Sequence, residues 1–125
     1  MRTLIGGILA LFLLAGCDSG PDGPGDLSGT VQSSGSPLGA VVIEVVGAGI
    51  EGFQGTGDTK VFWARQEDPN IYRVVVVGDG SGDLRFSVSV RDRGARVPRA
   101  LVASAVDAEN GILPVANDLR VRISR

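Results

Sequence analysis

The chain has 125 residues, a formal net charge of −2, one cysteine and no histidine. A single cysteine excludes an internal disulfide, and the lack of histidine removes the commonest general base and metal ligand. The near-neutral balance gives no overall basic field for nucleic acid, and valine-rich runs broken by 19 glycines are the composition of half-buried strands and tight turns.

The chain opens with a short positive stretch, Met1-Arg2-Thr3, followed by an uncharged apolar run over 4–14 and the small residues Ala15 and Gly16. This is the pattern of a secretory signal. It is too short to span a bilayer, which takes about 20 apolar residues, and Asp18, Asp22 and Asp26 follow closely. An uncleaved anchor or an ordinary secretory signal are the alternatives. The run Leu14-Ala15-Gly16-Cys17 resembles the lipobox of bacterial lipoproteins. That resemblance implies a signal peptide over 1–16, cleavage between Gly16 and Cys17, and lipid on the Cys17 thiol. The protein is then expected in the bacterial cell envelope, on its periplasmic or extracellular face, held by two or more acyl chains, enough for stable anchoring.

Residues 17–26 contain no apolar side chain after Cys17 and are rich in Gly, Pro and Asp, so they read as a flexible tether. Residues 27–125 read as one domain. Strand signals fall over 28–33, 38–46, 59–65, 71–77, 84–90, 100–106 and 119–123. The 38–46 segment is apolar on both faces, Val41, Ile43 and Val45 against Val42, Glu44 and Val46, and reads as a central strand. Residues 47–57 read as irregular, with Ile50 and Phe53 turned inward. The segment 79–83, Asp-Gly-Ser-Gly-Asp, reads as a hairpin turn; as a calcium loop it lacks the later glycine and glutamate that such loops need. Residues 84–90 alternate strictly between apolar and polar. Residues 100–106 fit a strand or a short helix, with the strand favoured by its neighbours. About seven strands at this spacing predict an all-β fold, a single antiparallel β-sandwich.

Two groups of residues are candidate binding sites. Arg91, Arg93, Arg96 and Arg99 form a basic cluster opposed only by Asp92, and Arg85, Arg120, Arg122 and Arg125 add to it. Such a face suits an acidic partner, an anionic lipid or a glycan, unless folding pairs it with the acidic first half of the domain. Trp63 and Tyr72 are a candidate glycan-stacking pair, or else packing residues. Nucleic acid is not expected, because no aromatic platform accompanies the arginines. No metal site or cofactor is expected. Catalysis is not expected either: there is no histidine, no free thiol once Cys17 carries lipid, and no nucleophile-elbow serine.

Gly29-Thr30-Val31 followed by 36–42, Ser-Pro-Leu-Gly-Ala-Val-Val, resembles the opening of carboxypeptidase-regulatory-like, transthyretin-type sandwiches, although their later Asp-Gly-Phe hairpin is missing. Residues 82–88, Gly-Asp-Leu-Arg-Phe-Ser-Val, look like cohesin-type sandwiches. The whole layout is similar to small lipoproteins of soil bacteria. These resemblances imply a sandwich used for binding or structure: a protein-interaction module, cohesin-like, with a carbohydrate- or peptidoglycan-binding module as the alternative. The expected partners are the membrane, through Cys17, and an envelope protein or glycan.

Overall fold

The computed structural model describes residues 23–114 and 119–125. The segment 1–16 and Cys17 lie outside the described residues. Eight strands are present: β1 Gly25–Ser33, β2 Leu38–Val46, β3 Ile50–Gly55, β4 Lys60–Arg65, β5 Ile71–Val77, β6 Leu84–Val90, β7 Arg99–Asp107 and β8 Leu119–Ser124. They form two four-stranded antiparallel sheets, a first sheet in the order β3-β6-β1-β8 and a second in the order β4-β5-β2-β7. The expected all-β sandwich is borne out, with one strand more than the sequence pattern predicts.

The extra strand is β3, where glycines at 52 and 55 obscure the pattern. Ile50 and Phe53 are both buried although they stand three residues apart, which strict alternation forbids. A bulge resolves this. Ile50 pairs with Val90 and Gly52 with Ser89, so Glu51 is extra and the parity shifts by one. Gly55 is needed for close approach, since a Cβ there would lie 1.8 Å from the Thr59 carbonyl oxygen.

β7 carries a similar irregularity. Val42 pairs with Ser104 and Ile43 with Val102, leaving Ala103 as the extra residue. The simple alternation expected over 100–106 therefore breaks: Ala105 is buried, while Leu101, of the same parity, is 68% exposed. β1 begins at Gly25, so Asp26, expected in the tether, is already in the ladder opposite Ser89, whose hydroxyl donates to its carboxylate at 3.1 Å.

The connection 79–83 is corrected too. β5 and β6 belong to different sheets, so this segment is an arch across the sandwich and not a hairpin. Only β4 and β5 are neighbours both in sequence and in a sheet.

The core lies between the sheets. Leu27 and Val31 of β1, the even positions of β6 from Leu84 to Val90, and Ile50 and Phe53 meet Leu38, Val41, Ile43 and Val45 of β2, Tyr72, Val74 and Val76 of β5, and Ala105. Burying each Val or Leu contributes about 1.5–3 kcal/mol. Phe86 is accommodated because its cross-strand neighbour is Gly29, where a Cβ would lie 2.3 Å from the ring.

Candidate functional site

Four surface features follow from this register: the outer faces of the two sheets, and the two seams where the edges of one sheet meet the edges of the other.

The outer faces differ in chemistry. On the first sheet, Arg122, Thr30 and Arg85 lie side by side across β8, β1 and β6, and Ser124, Ser28 and Ser87 form the next row. This is the polar outer face expected of a half-solvated antiparallel sheet. The second sheet departs from that rule. Phe62, Val75, Val42 and Ser104 form one row across β4, β5, β2 and β7, and Lys60, Val77, Ala40 and Val106 the next. Phe62 is 61% exposed. Ile112, bridged to Val106, overhangs a hollow of about 310 Å³ on this face. The row beyond holds Glu44 and Arg73, with an N···O distance of 3.8 Å. An exposed pair of this kind contributes little stability.

One seam, β3 against β4, is closed by aromatic rings. Phe53 packs on Trp63 and on Tyr72 with ring centroids 5.6 and 5.5 Å apart, and Trp63 lies 5.9 Å from Tyr72. The Tyr72 hydroxyl donates to the Ile50 carbonyl at 3.1 Å, joining the two sheets. Arg65 Nη2 donates to the same hydroxyl at 3.3 Å, and the guanidinium sits 5.6 Å from the ring centroid. Trp63 and Tyr72 are thus together, as a glycan platform would need. However, Tyr72 is only 2% exposed and has no face to offer a sugar, which removes it from that role. Trp63 remains partly exposed. The parity of β5 carries the reason: Tyr72 shares the inward face with Val74 and Val76.

The other seam, β7 against β8, has no ring across it. Val102 of β7 and Leu119, Val121 and Ile123 of β8 pack against the core but stay half-buried. Two hollows of about 550 and 440 Å³ run along it and share Ala100, Leu101, Val121 and Arg122. Arg120 lines the first and Arg99 the second. Among the described residues no acidic side chain lines either hollow.

The arginine cluster divides. Arg96 and Arg99 line a common hollow of about 290 Å³, with Val46 and Val97 beside them. Arg91 is exposed at the end of β6, and its amide donates to the Gly49 carbonyl at 2.8 Å. Arg93 lies against Gly25, with its Nε buried and without an acceptor. Arg125 donates to the carbonyls of Arg93 and Ala95 and pins this loop, each at 2.7 Å. Among the described residues, none of the arginines from Arg85 onward forms an ion pair. The two charge halves of the domain therefore do not neutralise each other through cross-strand pairs. Arg99 instead shares the lining of a hollow at the open seam with Arg122 of β8.

In the 79–83 arch, Asp79 is engaged locally. Its carboxylate accepts from the Ser81 hydroxyl and from the Ser81 amide, the latter at 2.9 Å. These bonds, the hydroxyl first, hold its pKa below the ordinary aspartate value. Among the described residues no group of three or more acidic or thiol ligands is gathered for a metal.

Comparison of the chain with family models, curated proteins and solved structures returned no match.

Proposed function

We propose that this chain is a lipid-anchored envelope protein whose sandwich is a non-catalytic protein-binding module. The observation that carries the reading is the outer face of the second sheet. Its solvent side holds Phe62, Val75 and Val42 in one row where polar side chains are the rule. Contiguous exposed apolar surface on a small domain marks a site that another macromolecule covers. The polar outer face of the first sheet makes the contrast internal to the molecule. The lipobox-like run ending at Cys17 supports attachment to the membrane, with the residues from Cys17 up to the start of β1 at Gly25 as the tether. A carbohydrate-binding role is the weaker reading, because Tyr72 is buried and Trp63 alone would have to carry it.

The test has two arms. Mass spectrometry of membrane-extracted protein should find acyl chains on Cys17, and Cys17→Ser should release the protein to the soluble fraction. A photo-crosslinking amino acid at position 62 should then capture a discrete envelope protein in cells. Free lipid-less protein would remove the anchor from the reading. A position-62 probe that captures no protein would remove the binding face.

A further inference from the structure

The open seam between β7 and β8 has features that the apolar face does not explain. Both strands are sheet edges, so each has a row of backbone N–H and C=O groups facing away from its single neighbour. On β7 the far end of this edge is occupied, since Ile112 bridges Val106 and the Leu113 amide donates to the Ala105 carbonyl at 3.0 Å. β8 is different. Its ladder with β1 runs without a bulge from Ser33–Leu119 to Ser28–Ser124, so its other edge is a straight template. Beside it lie the two hollows, where the apolar side chains of Leu119, Val121, Ile123, Ala100 and Val102 form the inner wall and Arg99, Arg120 and Arg122 line the hollows with them.

We infer that β8 accepts an extended segment of another protein as a fifth strand of the first sheet, and that this segment alternates apolar and acidic side chains. Period-two geometry sets the pattern. Side chains of an added strand that point inward fall beside Leu119, Val121 and Ile123 and fill the hollows, so they are apolar. The alternate side chains lie on the outer face beside Arg120 and Arg122. Both arginines are exposed and lack a carboxylate partner among the described residues. Opposite charges on directly neighbouring strands attract, and like charges repel. Arg99, on the β7 side of the second hollow, extends the same preference. Main-chain hydrogen bonds supply affinity in strand addition, and the alternating side chains supply specificity. The aromatic closure of the opposite seam, Phe53, Trp63 and Tyr72, leaves no comparable opening there. This inference rests on the protein-binding reading and moves the principal contact from the sheet face to the sheet edge.

The experiment uses the full chain in detergent micelles and a fluorescent peptide of about ten residues, the length of a long strand, alternating Val and Glu. A peptide of the same composition in two blocks and an alternating Val/Lys peptide serve as comparisons. The alternating Val/Glu peptide should bind saturably by anisotropy, slow amide exchange along β8 but not along β4, and outcompete both comparison peptides. In R120E/R122E its affinity should fall roughly tenfold or more, and the Val/Lys peptide should become the preferred one. Absence of saturation, equal binding of the block peptide, or unchanged affinity in R120E/R122E would overturn the inference and leave the arginines as guards against edge pairing. Crosslinkers placed at positions 62 and 121 in cells separate the two readings. Capture of a protein from 62 but not from 121 overturns strand addition alone, and capture from neither overturns both.

Discussion

The hydroxyl of Tyr72 is the clearest place to test how the two sheets are held together. It donates to the Ile50 carbonyl at 3.1 Å and accepts from Arg65 Nη2 at 3.3 Å, in a side chain that is 2% exposed. Tyr72→Phe keeps the ring and its edge contacts with Phe53 and Trp63 and removes only the oxygen. A buried hydrogen bond contributes about 1 kcal/mol net, and a carbonyl left without a donor adds to the loss, so the variant should lose about 1–2 kcal/mol. For a domain near 100 residues each kcal/mol moves Tm by about 4–8 °C, which puts the expected drop at about 4–16 °C. Thermal and urea unfolding followed by circular dichroism would measure it, with the urea m-value unchanged because the buried surface is the same. Arg65→Ala, which removes the exposed partner of the same hydroxyl, should cost only about 0.5–1 kcal/mol. A Tyr72→Phe protein melting within about 2 °C of the parent would show that the hydroxyl does not join the sheets, and the account of the closed seam would fall with it.

Three further outcomes are expected. Gly55→Ala places a Cβ 1.8 Å from the Thr59 carbonyl oxygen, a backbone atom that cannot swing aside, and should cost about 1–3 kcal/mol in urea unfolding; an unchanged midpoint would mean the β3–β4 connection is plastic. Ser81→Ala removes the leading cause of the lowered Asp79 pKa, so that pKa should rise toward the ordinary aspartate value in an NMR titration. Because the folded pKa is depressed, the stabilisation it reflects is present above the ordinary value of about 4 and is lost as pH falls through the folded pKa, and the variant, which keeps only the Ser81 amide bond, should show a weaker acid-limb dependence. Phe62→Ser on the outer face should change stability by no more than about 0.5 kcal/mol while reducing binding of a hydrophobic dye; a large loss of stability would place Phe62 in the core rather than on a docking face.

Much of the fold was legible because β2, β5 and β6 carry their own signals. In β6, four apolar residues alternate with polar ones between turn-forming segments, and both ends fall where that pattern starts and stops. The apolar second face of β2 also pointed to its central place, between β5 and β7. β3 was hidden because its glycines depress strand character and because a bulge puts Ile50 and Phe53 on one face at a spacing of three. β7 was legible as a strand, and the bulge at Ala103 upset only which of its residues face inward. Tyr72 could have been placed inward from its parity with Val74 and Val76. The open seam could not have been found by local reading. Arg99 and Arg122 lie on successive strands and line one hollow only because β7 and β8 end up as facing edges of different sheets. Their juxtaposition is a property of topology, which no window along the chain contains.

The position of β1 has a consequence in time. It is the first strand made, yet it lies inside the first sheet between β6 and β8, and its neighbours are the sixth and last strands to emerge. β1 therefore cannot complete its sheet until β6 and β8, more distant along the chain, are also available. Until then only the β4–β5 hairpin can form from neighbouring pieces of chain, and folding dominated by distant pairings is slow. The hazard for this protein therefore falls before the native state exists, while Leu27 and Val31 are uncovered and able to pair with the late strands of another copy.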